Sequence, residues 1–269
     1  MKRDPRDPEQ ELERAWELLE RGEVERARRM GERLLAARPE DPEILLLLGA
    51  CARDQEQLEE ALELFDRAAQ ADSEWPVPKL WAADLLANEL NRIAEARRRL
   101  ETAVERHPEQ ADAWYDLGSV CELQEDERRK REAWLEALRL DSGAAEPDDA
   151  MSEAEVAAVA EDALQELPEQ AHRLLADVPI LIADLPARED VAEGFDPRTL
   201  GLFVGIPHPE LSSVGGAPAL TQILLFRRNL DRIADDEEEL REQIRITLLH
   251  ETGHFFGMDE DDLAEVGLD

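Results

Sequence analysis

A pattern that returns every 34 or 35 residues through the first half of this 269-residue chain leaves few folds open to it. With Pro42, Val77 and Ala111 as equivalent starts, position 4 holds Leu45, Leu80 and Trp114, and position 8 holds Gly49, Asp84 and Gly118. Position 20 holds Ala61, Ala96 and Lys130, and position 24 holds Phe65, Leu100 and Trp134. A weaker copy starts at Pro8, so the spacings are 34, 35 and 34. Each unit reads as two amphipathic helices of about a dozen residues. Gly22-Glu23 and Asn91-Arg92 mark turns inside units, and Arg38-Pro39 and His107-Pro108 mark turns between them. Small residues let paired helices approach, and large ones at positions 4 and 24 fill the space between neighbouring units. One helix pair cannot bury its apolar face alone, so the units must stack. Gly31 stands at a large-residue position of the first copy and Lys130 at a small-residue position of the last. Terminal repeats turn one face to water, so both are expected to be end effects.

On these residues the stretch 8–142 resembles the tetratricopeptide (TPR) repeats, helix–turn–helix units of about 34 residues. The resemblance implies an all-α solenoid that binds a protein or peptide, with first helices lining the concave face. Arg53, Trp81, Asn88 and Tyr115 are the candidate partner contacts there. Packing between helices is the competing reading for Trp81 and Tyr115. Cys51 and Cys121 fall in non-adjacent repeats, beyond the reach of a disulfide, and read as core cysteines.

Composition excludes several partners. Lys and Arg number 31 against 66 Asp and Glu, a net charge of −35. Such a surface repels phosphates, so neither nucleic acid nor an anionic membrane is expected as a partner. No apolar run approaches the ~18 residues of a membrane span. The polar start implies no secretory signal, and two cysteines imply a reducing, cytoplasmic setting. Charge also divides the chain: residues 1–140 carry 23 basic and 35 acidic side chains, residues 141–269 carry 8 and 31. The small, acidic, Gly- and Pro-containing stretch 143–150 reads as a linker before a second domain, 151–269.

That domain reads as α+β. Ser152-Glu153-Ala154-Glu155 has the form of a capping box ahead of a helix. Strands are expected over Val178–Ala183, Gly201–Ile206 and Thr221–Phe226, with a Gly/Ser/Pro loop at Ser212–Pro218 that carries Gly215-Gly216. Arg227 and Arg228 then lie beside an acidic helix start, where surface ion pairs are expected. A long helix follows, from about Asp236 to Phe256. Near its end stands His250-Glu251-Thr252-Gly253-His254-Phe255-Phe256-Gly257. Histidines four apart project from one helical face and can meet one metal ion, and Glu251 beside them suits a catalytic base. Gly257 suits the left-handed residue that ends a helix. His208 is a lone loop histidine, and His107 and His172 have no partner pattern.

Residues 151–269 resemble the bacterial zincin-like minimal metallopeptidases, related in motif to the metzincins. The resemblance is carried by Leu174–Pro179, Gly201–Gly205, Ile223–Arg228, the acidic helix start and His-Glu-x-x-His-x-x-Gly. It implies zinc held by His250 and His254, with Glu251 as base. Where metzincins place a third histidine this chain has Glu260, and Asp259 is the alternative third ligand. The methionine turn of metzincins is not expected. The resulting expectation is a cytoplasmic zinc metallopeptidase whose TPR repeats recruit substrate or partner. The alternative is a non-enzymatic TPR adaptor with a silent or structural zincin-like domain, and hydrolysis of a non-peptide amide is a further option.

Overall fold

The computed structural model describes residues 8–147, 150–165, 167–175, 178–205 and 221–265. The chain divides into two compact units, Met1–Asp141 and Ser142–Asp269.

The first unit is a series of helix pairs: α1 (Pro8–Glu20) with α2 (Val24–Ala37), α3 (Pro42–Asp54) with α4 (Leu58–Ala71), α5 (Val77–Asn88) with α6 (Ile93–Arg106), and α7 (Ala111–Leu123) with α8 (Glu127–Gly143). Helix α3 starts where Asp41 accepts from the Glu43 and Ile44 amides, with Pro42 preset for the first turn. The turn inside each pair passes through one left-handed residue: Gly22 (φ 73°), Glu56 (59°), Asn91 (52°) and Glu125 (57°). These recur at the repeat spacing, so the turn is one conformation used four times among the described residues.

Small residues at position 8 serve the partner helix of the same repeat. A Cβ on Gly49 would lie 2.4 Å from Phe65, and one on Gly118 would lie 2.1 Å from Trp134. The large side chain at position 24 therefore fills its own repeat's helix junction, and Phe65 also meets Trp81 of the next repeat edge-on at 5.7 Å. Neither end-effect expectation holds. Gly31 is buried, its missing Cβ filled by Leu47 and Leu48 of the following repeat. Lys130 is buried too, its Nζ lying 5.1 Å from the centroid of the Trp134 ring while it pairs with Glu122 and Glu127. A long amphipathic side chain can occupy a small-residue position because its charged head reaches out to surface carboxylates. Cys51 and Cys121 are free and buried, and burial pushes the Cys51 thiol up to about 11.

The second unit packs helices on a three-stranded sheet. Its elements are α9 (Glu153–Gln165), α10 (Glu169–Leu175), β1 (Ile180–Ala183), α11 (Arg188–Glu193), β2 (Gly201–Val204), β3 (Gln222–Phe226), α12 (Arg227–Ile233), α13 (Glu237–Phe255) and α14 (Glu260–Glu265). The capping box forms: Glu155 N–H donates to Ser152 Oγ, and Ser152 N–H donates to Glu155 Oε2. Strand order is β1-β3-β2, parallel between β1 and β3 and antiparallel between β2 and β3. Ile223 and Leu225 of the central strand are fully buried with Val156 and Ala160 of α9 and Ile244 and Leu248 of α13. The loop at Ser212–Pro218, Gly215-Gly216 and His208 lie outside the described residues, as does the side chain of His172.

Arg227 is not a surface ion pair with the acidic helix start. It is 8% exposed. Its guanidinium donates to Asp184 beyond β1, to both oxygens of Glu146, and to the Met151 carbonyl. Parallel pairing brings the ends of β1 and β3 together, and that places Asp184 beside Arg227. The same device holds the segment before α9, because Arg228 donates to the Ala144 carbonyl. Arg227→Met should lower the stability of this unit by about 1.5–3 kcal/mol, the worth of hydrogen bonds to charged groups, read from chemical denaturation. Asp184 and Glu146 stay in contact with water, so no buried charge is stranded.

Candidate metal centre

Helix α13 opens at Asp236, whose side chain accepts from Glu239 N–H, and buries Leu240, Ile244, Leu248 and Phe255 against the core. The same helical phase leaves His250 and His254 at the edge of that face, each half-buried. Their Nε2 atoms lie 3.0 Å apart. After them the chain turns back. Gly257 takes φ 83°, its N–H bonds to the His254 carbonyl, and Met258 N–H bonds to the Gly253 carbonyl. This is the paired bond pattern of a helix ended by a left-handed glycine.

The turn acts on the histidine as well. His254 Nδ1 lies 3.1 Å from the Met258 carbonyl, an acceptor, so Nδ1 carries the proton and Nε2 presents its lone pair. Beyond the turn, Asp259 Oδ1 accepts from Asp262 N–H and caps α14. The next residue, Glu260, brings Oε2 to 3.7 Å from His250 Nε2 and Oε1 to 3.5 Å from His254 Nε2. Among the described residues, His250, His254 and Glu260 form the one group whose donor atoms converge as a metal ion requires. Asp259, spent on its helix, does not join it.

The donor set suits zinc. Ligands ~2.0–2.1 Å from a tetrahedral ion stand roughly 3.4 Å from one another; here the two Nε2 atoms are 3.0 Å apart, and each lies 3.5–3.7 Å from one of the two Glu260 oxygens. The C-terminal end of a 19-residue helix adds a negative dipole end that favours a cation.

Glu251 is not a member of this group. It is buried, and its Oε2 accepts from the Phe203 amide of β2 at 2.6 Å. Phe226 N–H bonds to the Leu200 carbonyl, so in the alternating antiparallel ladder Phe203 turns its amide away from β3, off the outer edge of β2. Burial raises the Glu251 carboxyl above the usual range, against the opposing pull of the Phe203 N–H and the two imidazoles.

Three residues that sequence reasoning passed over build this arrangement. Gly201 lets β2 lie against α13: a Cβ there would sit 2.7 Å from Thr247 and 2.9 Å from Glu251. Gly253 receives Leu263 of α14, whose Cδ2 would lie 2.3 Å from an added Cβ, and that docking sets the position of Glu260. Phe203 supplies the amide, while its ring packs edge-on against Phe255 at 6.0 Å. Glycine at a strand start and glycine inside a helix both signal close approach, so both positions carried a readable cue. Gly201→Val should cost about 1–3 kcal/mol through overpacking, seen as a lower melting temperature.

The four candidate partner residues are all engaged within the repeats. Arg53 pairs with Asp84 at 2.7 Å and with Glu89, and Asn88 donates to Asp84. Tyr115 stacks on Trp134, while Trp81 meets Phe65 and Trp16 edge-on. Arg53 and Trp81 line a groove of about 610 Å³ with Trp16 and Leu46; Asn88 and Tyr115 are not part of its wall.

Residues 12–74 and 85–150 match the family model of the tetratricopeptide repeat, and residues 175–268 match that of the zincin-like metallopeptidase. No curated protein matches the chain. Among solved structures, MamA of Desulfovibrio magneticus superposes with a TM-score of 0.43 at 20% identity, over 63% of this chain and 89% of that one. A further crystal structure of MamA gives 0.44 at 17% identity, over 69% and 86%. YrrB, described as a TPR protein with an unusual peptide-binding site, gives 0.41 at 24% identity, over 47% and 64%. The chain carries tetratricopeptide repeats within residues 12–150 and a zincin-like metallopeptidase domain at residues 175–268.

Proposed function

We propose that the second unit is a zinc-dependent peptidase and that the repeats recruit its protein substrate or partner. The observation that carries this reading is the convergence of two imidazole nitrogens and a glutamate on one point, beside a buried glutamate hydrogen-bonded to β2. His250 Nε2, His254 Nε2 and Glu260 would hold the ion, with the His254 tautomer set by the Met258 carbonyl. Zinc held there would supply Lewis acidity, the capacity to polarise a carbonyl and to lower the pKa of water. Glu251 takes the proton of the attacking water at its carboxylate and passes it to the leaving amine nitrogen. Among the described residues β2 pairs with no strand on its side away from β3, and that side offers backbone groups to an extended substrate next to this base.

In the first unit, the groove between Trp16 and Trp81 supplies aromatic surface with Arg53 at its wall, a composition suited to a peptide segment. The two buried free thiols accord with a reducing compartment, and we place the protein in the cytoplasm. No helix among the described residues is long and apolar enough to cross a membrane.

The test is zinc content by elemental mass spectrometry, followed by cleavage of a peptide library before chelation, after it, and after zinc is restored. About one zinc per chain and chelator-reversible cleavage is the expected result. Bound zinc without cleavage would remove the catalytic role and leave the site; a chain that refuses titrated zinc would remove both.

A further inference from the structure

On the second-helix side of the repeats lies a groove of about 460 Å³, within the range of ligand sites. Its wall includes Lys79 at the start of α5 and Arg98, Arg99, Thr102, Ala103 and Arg106 of α6. It shares no residue with the groove between Trp16 and Trp81. Two carboxylates, Asp66 and Glu95, also line it, and both are bound to Arg99, which they fix in place. Lys79 donates to the Ser73 carbonyl. Arg98 and Arg106 are exposed and pair with no carboxylate among the described residues. In a chain of net charge −35, where most arginines are matched to acids, that is a local excess of positive charge.

We infer that this groove binds an acidic peptide segment of a partner protein, at a surface separate from the metal centre and independent of it. The spacing indicates an extended chain. Arg98 and Arg106 are eight positions apart on α6, ~12 Å along the axis at 1.5 Å per residue. An extended peptide advances ~3.3 Å per residue, so carboxylates four residues apart lie ~13 Å apart on one side. A compact anion would meet one cation at a time, whereas these are strung along the groove. Nucleic acid is the poorer fit for two reasons. The one ring that lines the groove is the imidazole of His107, a smaller stacking surface than Phe, Tyr or Trp, none of which lines it among the described residues. A long polyanion also runs beyond the groove into the surrounding negative field, whereas a short acidic segment ends within it.

The probe is a rhodamine-labelled decapeptide of alternating Glu and Thr, titrated with the full chain at low salt and read by fluorescence anisotropy. Saturable binding is expected, with Kd raised about tenfold or more in Arg98→Glu/Arg106→Glu. A matched reversal elsewhere, Arg14→Glu/Arg33→Glu, places the same charge change in a different basic groove, between α1 and α2, and should alter Kd less than about twofold. Circular dichroism checks that each variant is folded. If the reversal pair is not, Arg98→Gln/Arg106→Gln replaces it, with about a threefold rise in Kd expected. The inference is overturned by absent saturation, by equal weakening in the two reversal pairs, or by a single-stranded oligonucleotide of the same charge that binds as tightly as the peptide.

Discussion

Glu251→Gln is expected to lower kcat for peptide cleavage by about a thousandfold while zinc content stays near one per chain. The two side chains have the same shape, and the glutamine carbonyl oxygen can still accept from the Phe203 amide, so the anchor to β2 survives. Only the capacity to take up a proton is lost. General acid–base groups contribute about 10²–10⁴ in rate, which sets the size of the effect. Steady-state kinetics with a cleaved library peptide, alongside elemental analysis, decide it. Cleavage at the parental rate would strip Glu251 of its role, and lost zinc would mean that the residue acts on the site's structure.

The second large effect belongs to His254. His254→Ala removes a nitrogen of the proposed ligand set and also the tie from Nδ1 to the Met258 carbonyl that aligns the turn before Glu260. Loss of an outer partner alone typically costs 10–100-fold in metal affinity, so losing ligand and tie together should cost on the order of a thousandfold. Competition against a chromophoric chelator measures this directly. Glu260→Ala should cost less, because its carboxylate is exposed and the two imidazoles remain. Zinc should raise the melting temperature of the parent and not of His254→Ala, since an ion that binds only the folded state stabilises it by mass action. Equal zinc affinity in His254→Ala and the parent would place the ion elsewhere.

Much of this architecture was legible in the residues because the relations involved are local. The repeat could be read from spacing alone: every unit solves the same packing problem, so the same sizes recur at the same places. The three strands could be read as short apolar runs, and the long helix from its acidic start and its closing glycine. Other features were not legible. Glu56 and Glu125 take the left-handed turn although glutamate has no preference for it, because each sits at the position where its repeat must reverse. Helices α11, α12 and α14 have six or seven residues, too few turns for a periodicity to show. Arg227 reads as a surface residue and becomes a buried tie only once β1 pairs with β3.

The candidate site divides along the same line. Two histidines one helical turn apart share a face in any α-helix, so the nearness of their two rings follows from covalent geometry and the local fold. The choice between Asp259 and Glu260 does not. It rests on the reversal at Gly257, on Asp259 being used to cap α14, and on Leu263 seating against Gly253. The partner of Glu251 lies 48 residues away on β2, held there by a glycine whose missing side chain leaves room for the helix. Contacts within one turn of helix cost the chain little to form and are written in its spacing. Contacts between elements exist only after the whole unit has packed, and no short stretch of residues records them.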